Sequence, residues 1–150
     1  MSVQPFISTI AGTLDSKGRV CIPAGYRQIL AAQNTSGIYV CPSFAEPTLE
    51  CFGQLLMDKT SERLAALDPF LSQLHDDLAS QIVAESVLLP IDENGRIRLP
   101  DAMIQAASLK ERVLFVGLVQ KFQIWDPEIY APIKEKRLAG SRAARGAGTP

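Results

Sequence analysis

LDSKGRVCIP, residues 14–23, recurs 77 residues further along the chain as IDENGRIRLP, residues 91–100. The Asp, Gly, Arg and Pro are identical in the two copies, and each aliphatic residue of one copy is matched by an aliphatic residue of the other. A repeat of this kind fixes the architecture, because each copy represents one structural unit. The chain is therefore predicted to contain two similar halves.

Within each copy, the pattern is typical of a tight turn that leads into a short strand. Asp15 and Asp92 stand at the first position of a type I turn, where a short carboxylate accepts backbone N–H bonds. Gly18 and Gly95 supply the left-handed conformation that joins such a turn to a strand. From there, aliphatic residues alternate with others at the period of a half-buried strand. The residues predicted to face solvent on these strands are Arg19, Cys21, Arg96 and Arg98.

Each of these strands is predicted to lead into a helix and then into a second hairpin. Pro23 and Pro100 cannot donate to a sheet ladder, and proline suits the first turn of a helix. The predicted helices span 24–32 and 101–108, and the predicted strands after them span 38–40, 48–52, 113–116 and 122–125. Two units of hairpin, helix and hairpin give a mixed β/α, β-rich fold class.

The repeat divides the chain into four predicted segments. Residues 6–53 form repeat unit one, and residues 82–130 form repeat unit two. Residues 54–81 have apolar residues at helical spacing on both sides of Asp68-Pro69, which favours a helical connector folded as a hairpin over the strands. The same surface also suits a contact between copies of the chain. Residues 138–150 are basic and rich in Ala and Gly, and we predict a disordered tail there.

The composition is that of an ordinary globular protein. Hydrophobic residues make up 47% and charged residues 21% of the chain. No apolar run approaches the roughly 20 residues of a transmembrane helix, and the start of the chain lacks the pattern of a signal peptide. We therefore expect no contact with a membrane and a cytoplasmic location.

The sequence contains no motif for catalysis or metal binding. The single histidine, His75, precedes Asp76 and Asp77, but adjacent residues of one helix face different directions, which favours a solvated acidic face. The three cysteines form no Cys-x-x-Cys pair and are interpreted as small apolar residues. We expect no enzymatic activity, no cofactor and no metal site.

The net charge of −1 conceals a strong segregation of charge along the chain. Residues 46–93 carry −8, residues 1–45 carry +2 and residues 94–150 carry +5. A nucleic-acid site needs a basic face and not a basic protein, so this distribution permits DNA binding without proving it. Solvated surfaces of different sign would give the same pattern.

The repeated motif, its spacing and the closing segment together resemble a known family. LDSKGR at 14–19, the second Asp-x-x-Gly-Arg at 92–96 and FQIWD at 122–126 are similar to the MraZ family of bacterial regulators, which has two AbrB-like repeats. The resemblance covers residues 6–136. It departs where family members usually begin with Phe-Arg-Gly, because this chain has Phe6-Ile7-Ser8.

The resemblance implies a fold, an assembly and a function. The implied fold is a swapped-hairpin AbrB-type β-barrel with pseudo-twofold symmetry, formed by the two repeats within one chain, with a strand over 82–91 leading into repeat two. The implied assembly is a homo-oligomer, expected to be a ring. The implied function is sequence-specific binding of double-stranded DNA at direct repeats in a promoter. Such binding would repress the gene cluster for cell division and cell-wall synthesis, the regulator's own gene included, and the protein would be associated with the nucleoid.

The resemblance also makes the hairpin loops the candidate DNA-reading elements. Arg19 is suited to a guanine edge or a phosphate, although it would also brace the turn by pairing with Asp15. Repeat one is expected to contribute more than repeat two, because Asp15–Arg19 carries a net charge of +1 and Asp92–Arg96 carries −1. Repeat two would contact phosphate or brace the barrel. The candidate DNA-binding residues are Lys17, Arg19, Arg27, Asn94, Arg96 and Arg98, and the structural turn residues are Asp15, Gly18, Asp92 and Gly95.

A second class of function is compatible with this sequence. A non-DNA oligomeric scaffold, or a protein-interaction ring of the same fold, would have the same repeats. Salt-dependent binding to the chain's own promoter fragment separates the two classes, because phosphate contacts release counterions.

Overall fold

The elements of the two halves follow each other in the same order. The structure is a computed structural model, and it describes residues 4–148. In chain order the elements are β1 (Thr9–Thr13), β2 (Arg19–Cys21), α1 (Ala24–Ala32), β3 (Gly37–Pro42), β4 (Leu49–Phe52), α2 (Gln54–Ala65), α3 (Gln73–Leu78), a π-helical turn (Ala79–Val83), β5 (Val87–Pro90), β6 (Arg96–Arg98), α4 (Asp101–Ala106), β7 (Arg112–Gly117), β8 (Phe122–Trp125) and α5 (Pro127–Gly148). The predicted succession of strands, helix and strands is confirmed in both halves.

Six of the strands form one antiparallel sheet in the order β1-β7-β8-β4-β3-β5. The first strand of each half pairs with the third strand of the other half, β1 with β7 and β5 with β3. The two halves therefore interleave, and β4 lies beside β8 at the centre. This arrangement confirms the mixed α/β class with an antiparallel sheet. The division of the chain at 6–53, 54–81 and 82–130 stays a prediction, because the outer segments share this sheet.

The remaining strands, β2 and β6, form a separate antiparallel ladder. Each has only three residues and ends shortly before a proline, Pro23 or Pro100, that cannot donate to a further rung. An isolated bridge between Leu14 and Val20 links β2 to the strand before it. The six-stranded sheet is consequently open, with β1 and β5 as its edges, and a closed AbrB-type barrel is not confirmed.

The main core is shared by the sheet and the ladder. Val20, Ile22, Ile97 and Leu99, the residues predicted to point inward, are each at most 2% exposed. They belong to the same apolar cluster as aromatic residues of the sheet, so burial of apolar surface fixes the ladder against the sheet. A smaller cluster, made by Val116, Trp125 and Tyr130, joins α5 to the opposite face of the sheet.

The connector covers the strands less than the sequence predicted. Neither α2 nor α3 contains a fully buried residue, and Phe70 and Leu71 between them are 91% and 87% exposed. The prediction of a helical hairpin over the strands was therefore wrong for this part of the connector. Apolar spacing identifies the face of a helix that suits a partner, but it does not say whether that partner belongs to the same chain.

The strand that leads into the second half is shorter than expected. Residues 82–91 were predicted as one strand, but β5 begins only at Val87. Helical bonding continues up to that point, because the Ala84 amide donates to the Ala79 carbonyl at 2.8 Å and the Ser86 hydroxyl donates to the Ile82 carbonyl at 2.6 Å. These bonds satisfy backbone groups, among them the Ala84 amide and the Ile82 carbonyl, that a longer β5 would pair with a neighbouring strand.

The C-terminal segment is helical where disorder was predicted. Helix α5 runs through Gly148, so the prediction was wrong for 138–148, while 149–150 lie outside the described residues. Arg137 Nη2 donates to Glu46 Oε1 at 3.0 Å and anchors the first part of the helix. Alanine then favours continuation of a helix that is already nucleated. No helix within residues 4–148 has the length and the apolar character that crossing a membrane requires.

The cysteines differ in environment. Cys41 and Cys51 are buried, as expected of small apolar residues, and burial raises the pKa of the Cys51 thiol well above its usual value. Cys21 is exposed, so the interpretation of all three as apolar fillers was wrong for this residue. The alternation of the strand decides its position, because Val20 and Ile22 on either side of it point into the core.

Candidate nucleic-acid interface

The β2–β6 ladder presents a basic face to solvent. Its three rungs pair Arg19 with Arg98, Val20 with Ile97 and Cys21 with Arg96. Because the middle rung is buried, strand alternation places the other two rungs on the outer face. We call this outer surface the β2–β6 face, and its residues are Arg19, Cys21, Arg96 and Arg98. Three of the four are arginines, and none is acidic.

The first turn, residues 15–18, is organised by one carboxylate. Asp15 Oδ1 accepts the backbone N–H groups of Lys17 at 2.9 Å and Arg19 at 2.8 Å. The Gly18 amide closes the turn on the Asp15 carbonyl at 3.1 Å, and Gly18 has the predicted positive φ, 78°. The Arg19 backbone N–H, more than any other group, lowers the pKa of Asp15 below its ordinary value. The carboxylate is therefore ionised at neutral pH and holds the turn in shape.

Arg19 is braced by the first turn and yet retains free donors. Its Nε donates to Asp15 Oδ2 at 2.8 Å, so the alternative interpretation of Arg19 as a brace is geometrically realised. The Nη1 and Nη2 groups make no hydrogen bond to any residue within the described part of the chain. In arginine, these two nitrogens are donors that can contact a guanine edge or a phosphate. The bond to Asp15 therefore orients the guanidinium and leaves its Nη1 and Nη2 groups available.

The second turn, residues 92–95, repeats this geometry with a more negative net charge. Asp92 Oδ1 accepts the backbone N–H groups of Asn94 at 2.8 Å and Arg96 at 2.9 Å, and Gly95 has a φ of 77°. Arg96 Nε lies 3.3 Å from Asp92 Oδ2. The Arg96 backbone N–H is the main cause that lowers the pKa of Asp92. Glu93 and Asn94 occupy the positions that Ser16 and Lys17 have in the first turn.

The two turns lie at opposite ends of the ladder. Because β2 and β6 are antiparallel, the end of β2 meets the second turn and the end of β6 meets the first turn. The Ile22 amide donates to the Gly95 carbonyl at 2.8 Å, and the Leu99 amide donates to the Gly18 carbonyl at the same distance. Each half therefore supports the turn of the other half.

This crossing determines the position of Arg27. Its Nε donates to the Ile22 carbonyl at 3.0 Å, and a Cβ added to Gly95 would lie 2.6 Å from Arg27 Cζ. The Arg27 guanidinium thus lies on the second turn, although the sequence placed it with the contacts of repeat one. The equivalent residue of the second half, Ile104, lies against Gly18 with its Cδ1 3.3 Å from the added Cβ.

The structure brings all six candidate DNA contacts to the ladder and its turns. Lys17, Arg19 and Arg98 lie at the end with the first turn, and Asn94, Arg96 and Arg27 lie at the end with the second turn.

Sequence reasoning missed two further basic residues, Lys110 and Arg112, beside the first turn. Both are exposed; Thr13 pairs with Arg112, and the Leu14 amide donates to the carbonyl of the intervening Glu111 at 2.8 Å. The pairing of β1 with β7 brings them there, and no local sequence signal reveals that pairing.

The described residues lack a metal-binding cluster. Within residues 4–148, no group of three or more His, Cys, Asp and Glu side chains is arranged to hold a metal ion.

Comparison with known proteins shows that the chain is similar to proteins named as transcriptional regulators. A family model described as "MraZ protein, putative antitoxin-like" matches residues 82–147. The transcriptional regulator MraZ of Xanthobacter autotrophicus is 40% identical over 123 residues, which are 82% of this chain and 78% of that protein. The transcriptional regulator MraZ of Azorhizobium caulinodans is 37% identical over 145 residues, 96% of this chain and 92% of that protein. The protein of the same name from Parvibaculum lavamentivorans is 40% identical over 144 residues, 93% and 89% respectively.

Proposed function

This chain belongs to the MraZ family, and from that premise we propose that it is a transcriptional regulator that binds double-stranded DNA through the β2–β6 face. The observation that carries the proposal is the row of Arg19, Arg98 and Arg96 on one exposed surface. The rung behind the row is buried, and Asp15 and Asp92 hold the Arg19 and Arg96 side chains at its two ends. The relatives are named as regulators, and we propose no catalytic activity.

A two-stranded ladder such as β2–β6 is an element that can enter a groove of duplex DNA. The major groove, about 12 Å wide, admits a two-stranded β-ribbon. Arg19 has both Nη groups available for the O6 and N7 atoms of a guanine, and this contact would read sequence. Lys17 on the exposed turn, with Lys110 and Arg112 beside it, would contact phosphates and set the position of the chain on the duplex.

The finer features of the function belong to the same proposal. We propose repression at direct repeats upstream of the division and cell-wall gene cluster, which includes the regulator's own gene, by a nucleoid-associated protein of the cytoplasm. One face offers few cations, so a single chain would bind weakly at physiological salt. A ring of identical chains would hold several faces at fixed spacing and raise the overall affinity. The proposal includes a swapped-hairpin AbrB-type arrangement of the two repeats, and the interleaving of β1 with β7 and of β5 with β3 supports it.

Binding to an upstream DNA fragment over a range of salt tests the proposal. The logarithm of the binding constant should fall linearly with the logarithm of salt concentration, by about 0.9 per neutralised phosphate. A variant in which Arg19, Arg96 and Arg98 are all alanine should keep its melting temperature and lose most of the binding. A parent chain that shows no salt-dependent binding to its own upstream fragment contradicts the proposal.

A second candidate function is an oligomeric scaffold that binds protein and not DNA. It is favoured by exposed apolar residues away from the β2–β6 face: Phe70 and Leu71 in the connector and Leu88 on the edge strand β5. Exposed apolar residues of this kind are typical of protein contacts. Under this function the triple arginine variant would retain every activity of the parent, while charged substitutions of Phe70 and Leu71 would abolish it.

A further inference from the structure

The two turns of the β2–β6 face are alike in backbone but not in charge. In the first turn Lys17 supplies a cation, and Ser16 beside it is neutral. In the second turn Asn94 and Glu93 stand at these positions, so the turn loses a positive charge and gains a negative one. A phosphate group approaching the second turn would meet Asp92 and Glu93 with only Arg96 to offset them. The second end of the face therefore needs a cation from elsewhere if it is to approach the DNA backbone.

Arg27 lies where such a cation is needed. The Cζ, Nη1 and Nε atoms of Arg27 all fall within 2.7 Å of the place that a Cβ of Gly95 would occupy, so the guanidinium lies directly on this glycine. Nε is held by the Ile22 carbonyl at 3.0 Å. The terminal nitrogens make no hydrogen bond within the described part of the chain, and the side chain is half-buried, not enclosed. The guanidinium is thus positioned by one bond and keeps donors for a ligand.

Comparing the two halves of the chain distinguishes a packing role of Arg27 from a role of its charge. Ile104 is the counterpart of Arg27 and contacts Gly18 of the first turn as Arg27 contacts Gly95. An aliphatic side chain is therefore sufficient to cover a glycine of this kind. The charge is present only at the turn that lacks a lysine, so packing alone does not account for it.

We propose that Arg27 is the phosphate-binding residue of the second turn, so that the first half of the chain lends a cation to the loop of the second half. Its ligand is the sugar–phosphate backbone of duplex DNA. The proposal rests on the function proposed above and makes it more specific. Both ends of the β2–β6 face then contact phosphate, by different means: Lys17 within the first turn, and Arg27 across from helix α1 at the second turn.

The substitution Arg27→Ile copies the symmetry-related residue and tests the proposal in the full chain. Isoleucine should cover Gly95 as Ile104 covers Gly18, so the melting temperature should stay near that of the parent. Binding to an upstream duplex fragment should weaken, and the salt dependence should become shallower by about 0.9 per lost phosphate contact. Between about 50 and 200 mM salt, one lost contact changes the ratio of parent to variant affinity about threefold. Sequence preference should not change, because a phosphate contact weakens binding to all sequences alike.

Three matched variants make the outcome decisive. Arg27→Lys keeps a cation and should retain the salt slope of the parent. Arg27→Gln keeps a polar side chain without the charge, and its slope should be as shallow as that of Arg27→Ile. Ile104→Arg adds a guanidinium at the first turn and should steepen the slope. If Arg27→Ile lowers the melting temperature, the Lys and Gln pair replaces it as the test. Equal salt slopes for parent, Arg27→Ile and Arg27→Gln, with the parent bound to DNA, would overturn the role of Arg27. Absence of DNA binding by the parent would instead overturn the proposed function as a whole.

Discussion

Arg19 is the residue on which the proposed reading of DNA depends most. Its backbone and its Nε are both tied to the carboxylate of Asp15, which fixes the direction of the side chain. A guanidinium that is already oriented loses less conformational entropy when it binds than a freely rotating one. The ion pair with Asp15 and the proposed DNA contact are therefore compatible roles of one side chain and not alternatives.

Arg19→Ala should abolish most sequence-specific binding and leave the fold intact. A lost bidentate guanine contact costs about 1–3 kcal/mol per site. Stability should change little, because exposed ion pairs contribute little to the free energy of unfolding. Affinity for operator and scrambled duplexes, together with the melting temperature, checks both statements. Lys134→Ala, which removes an exposed cation from α5, serves as the control. Operator affinity equal to that of the parent in a folded Arg19→Ala variant would remove Arg19 from the reading surface.

Gly18 is the residue of the same turn that adopts a left-handed backbone conformation. Its φ of 78° lies in the left-handed region, where a β-branched residue is strained by about 1–3 kcal/mol. A new side chain would also approach Ile104 Cδ1, which lies 3.3 Å from the Cβ position. Gly18→Val should therefore lower the free energy of unfolding, measured by denaturant titration. Gly25→Ala, in helix α1 with open space around it, should be neutral or stabilising. A Gly18→Val chain as stable as the parent would show that the turn does not require this conformation.

At the scale of the element, the β2–β6 ladder is symmetric except at one position. Arg19 corresponds to Arg96, whereas the counterpart of Arg98 is Cys21. The fourth position of the basic face is thus occupied by a neutral residue that points to solvent. The ladder therefore offers a site where a cation can be added without disturbing the core behind it.

Cys21→Arg should strengthen binding to DNA. The new guanidinium would complete the row and add about 0.9 to the salt slope for each phosphate that it contacts. Its cross-strand neighbour is Arg96, and like charges directly opposite one another destabilise a ladder by up to about 1 kcal/mol. Fluorescence anisotropy across salt concentrations measures the first effect, and thermal unfolding measures the second. Cys21→Ser is the neutral control. Unchanged affinity on introducing arginine would place the DNA elsewhere than on this face.

The elements also show which parts of the structure local sequence determines. Helix α1 and strand β8 begin and end where the sequence predicted, because proline placement and alternation are local signals. The position of Arg27 on the second turn and of Arg112 beside the first turn depends on strand pairing across the chain, which no local pattern encodes. The apolar spacing of residues 54–81 predicted a connector packed on the strands, but Phe70 is exposed, because spacing does not determine which partner a helix face meets.

At the scale of the whole molecule, the proposed ring sets the geometry of the DNA that it binds. Each face contributes few contacts, so strong binding requires a second face to engage the same duplex. Equivalent faces of the major groove recur every 10–10.5 base pairs or so. Direct repeats spaced by whole turns of the DNA duplex would therefore face the same side of the protein.

Binding should depend on the spacing of two repeats. Inserting roughly half a helical turn, about 5 base pairs, between the boxes should weaken binding sharply, because one box then faces away from the protein. Inserting a full turn should weaken it less. Titrations of single-box, in-phase and half-turn-shifted fragments provide the comparison, and a fragment with scrambled boxes is the control. Equal affinity for all three box-containing fragments would contradict multivalent binding.

The pairing of Thr13 with Arg112 has a consequence for the synthesis of the protein. The ribosome releases strand β1 long before it has made the strand that pairs with β1, and contacts between distant residues form slowly. Until Ile97 has been synthesised, Val20 lacks its cross-strand partner. The loop that precedes Arg19 then lacks strand β6, against which β2 pairs. Under the proposed function, a nascent or truncated chain would therefore carry the loop without the strand that holds it in position for DNA. Only a chain translated through β7 and β8 completes this pairing, so under the proposed function incomplete products of the gene would not bind its promoter.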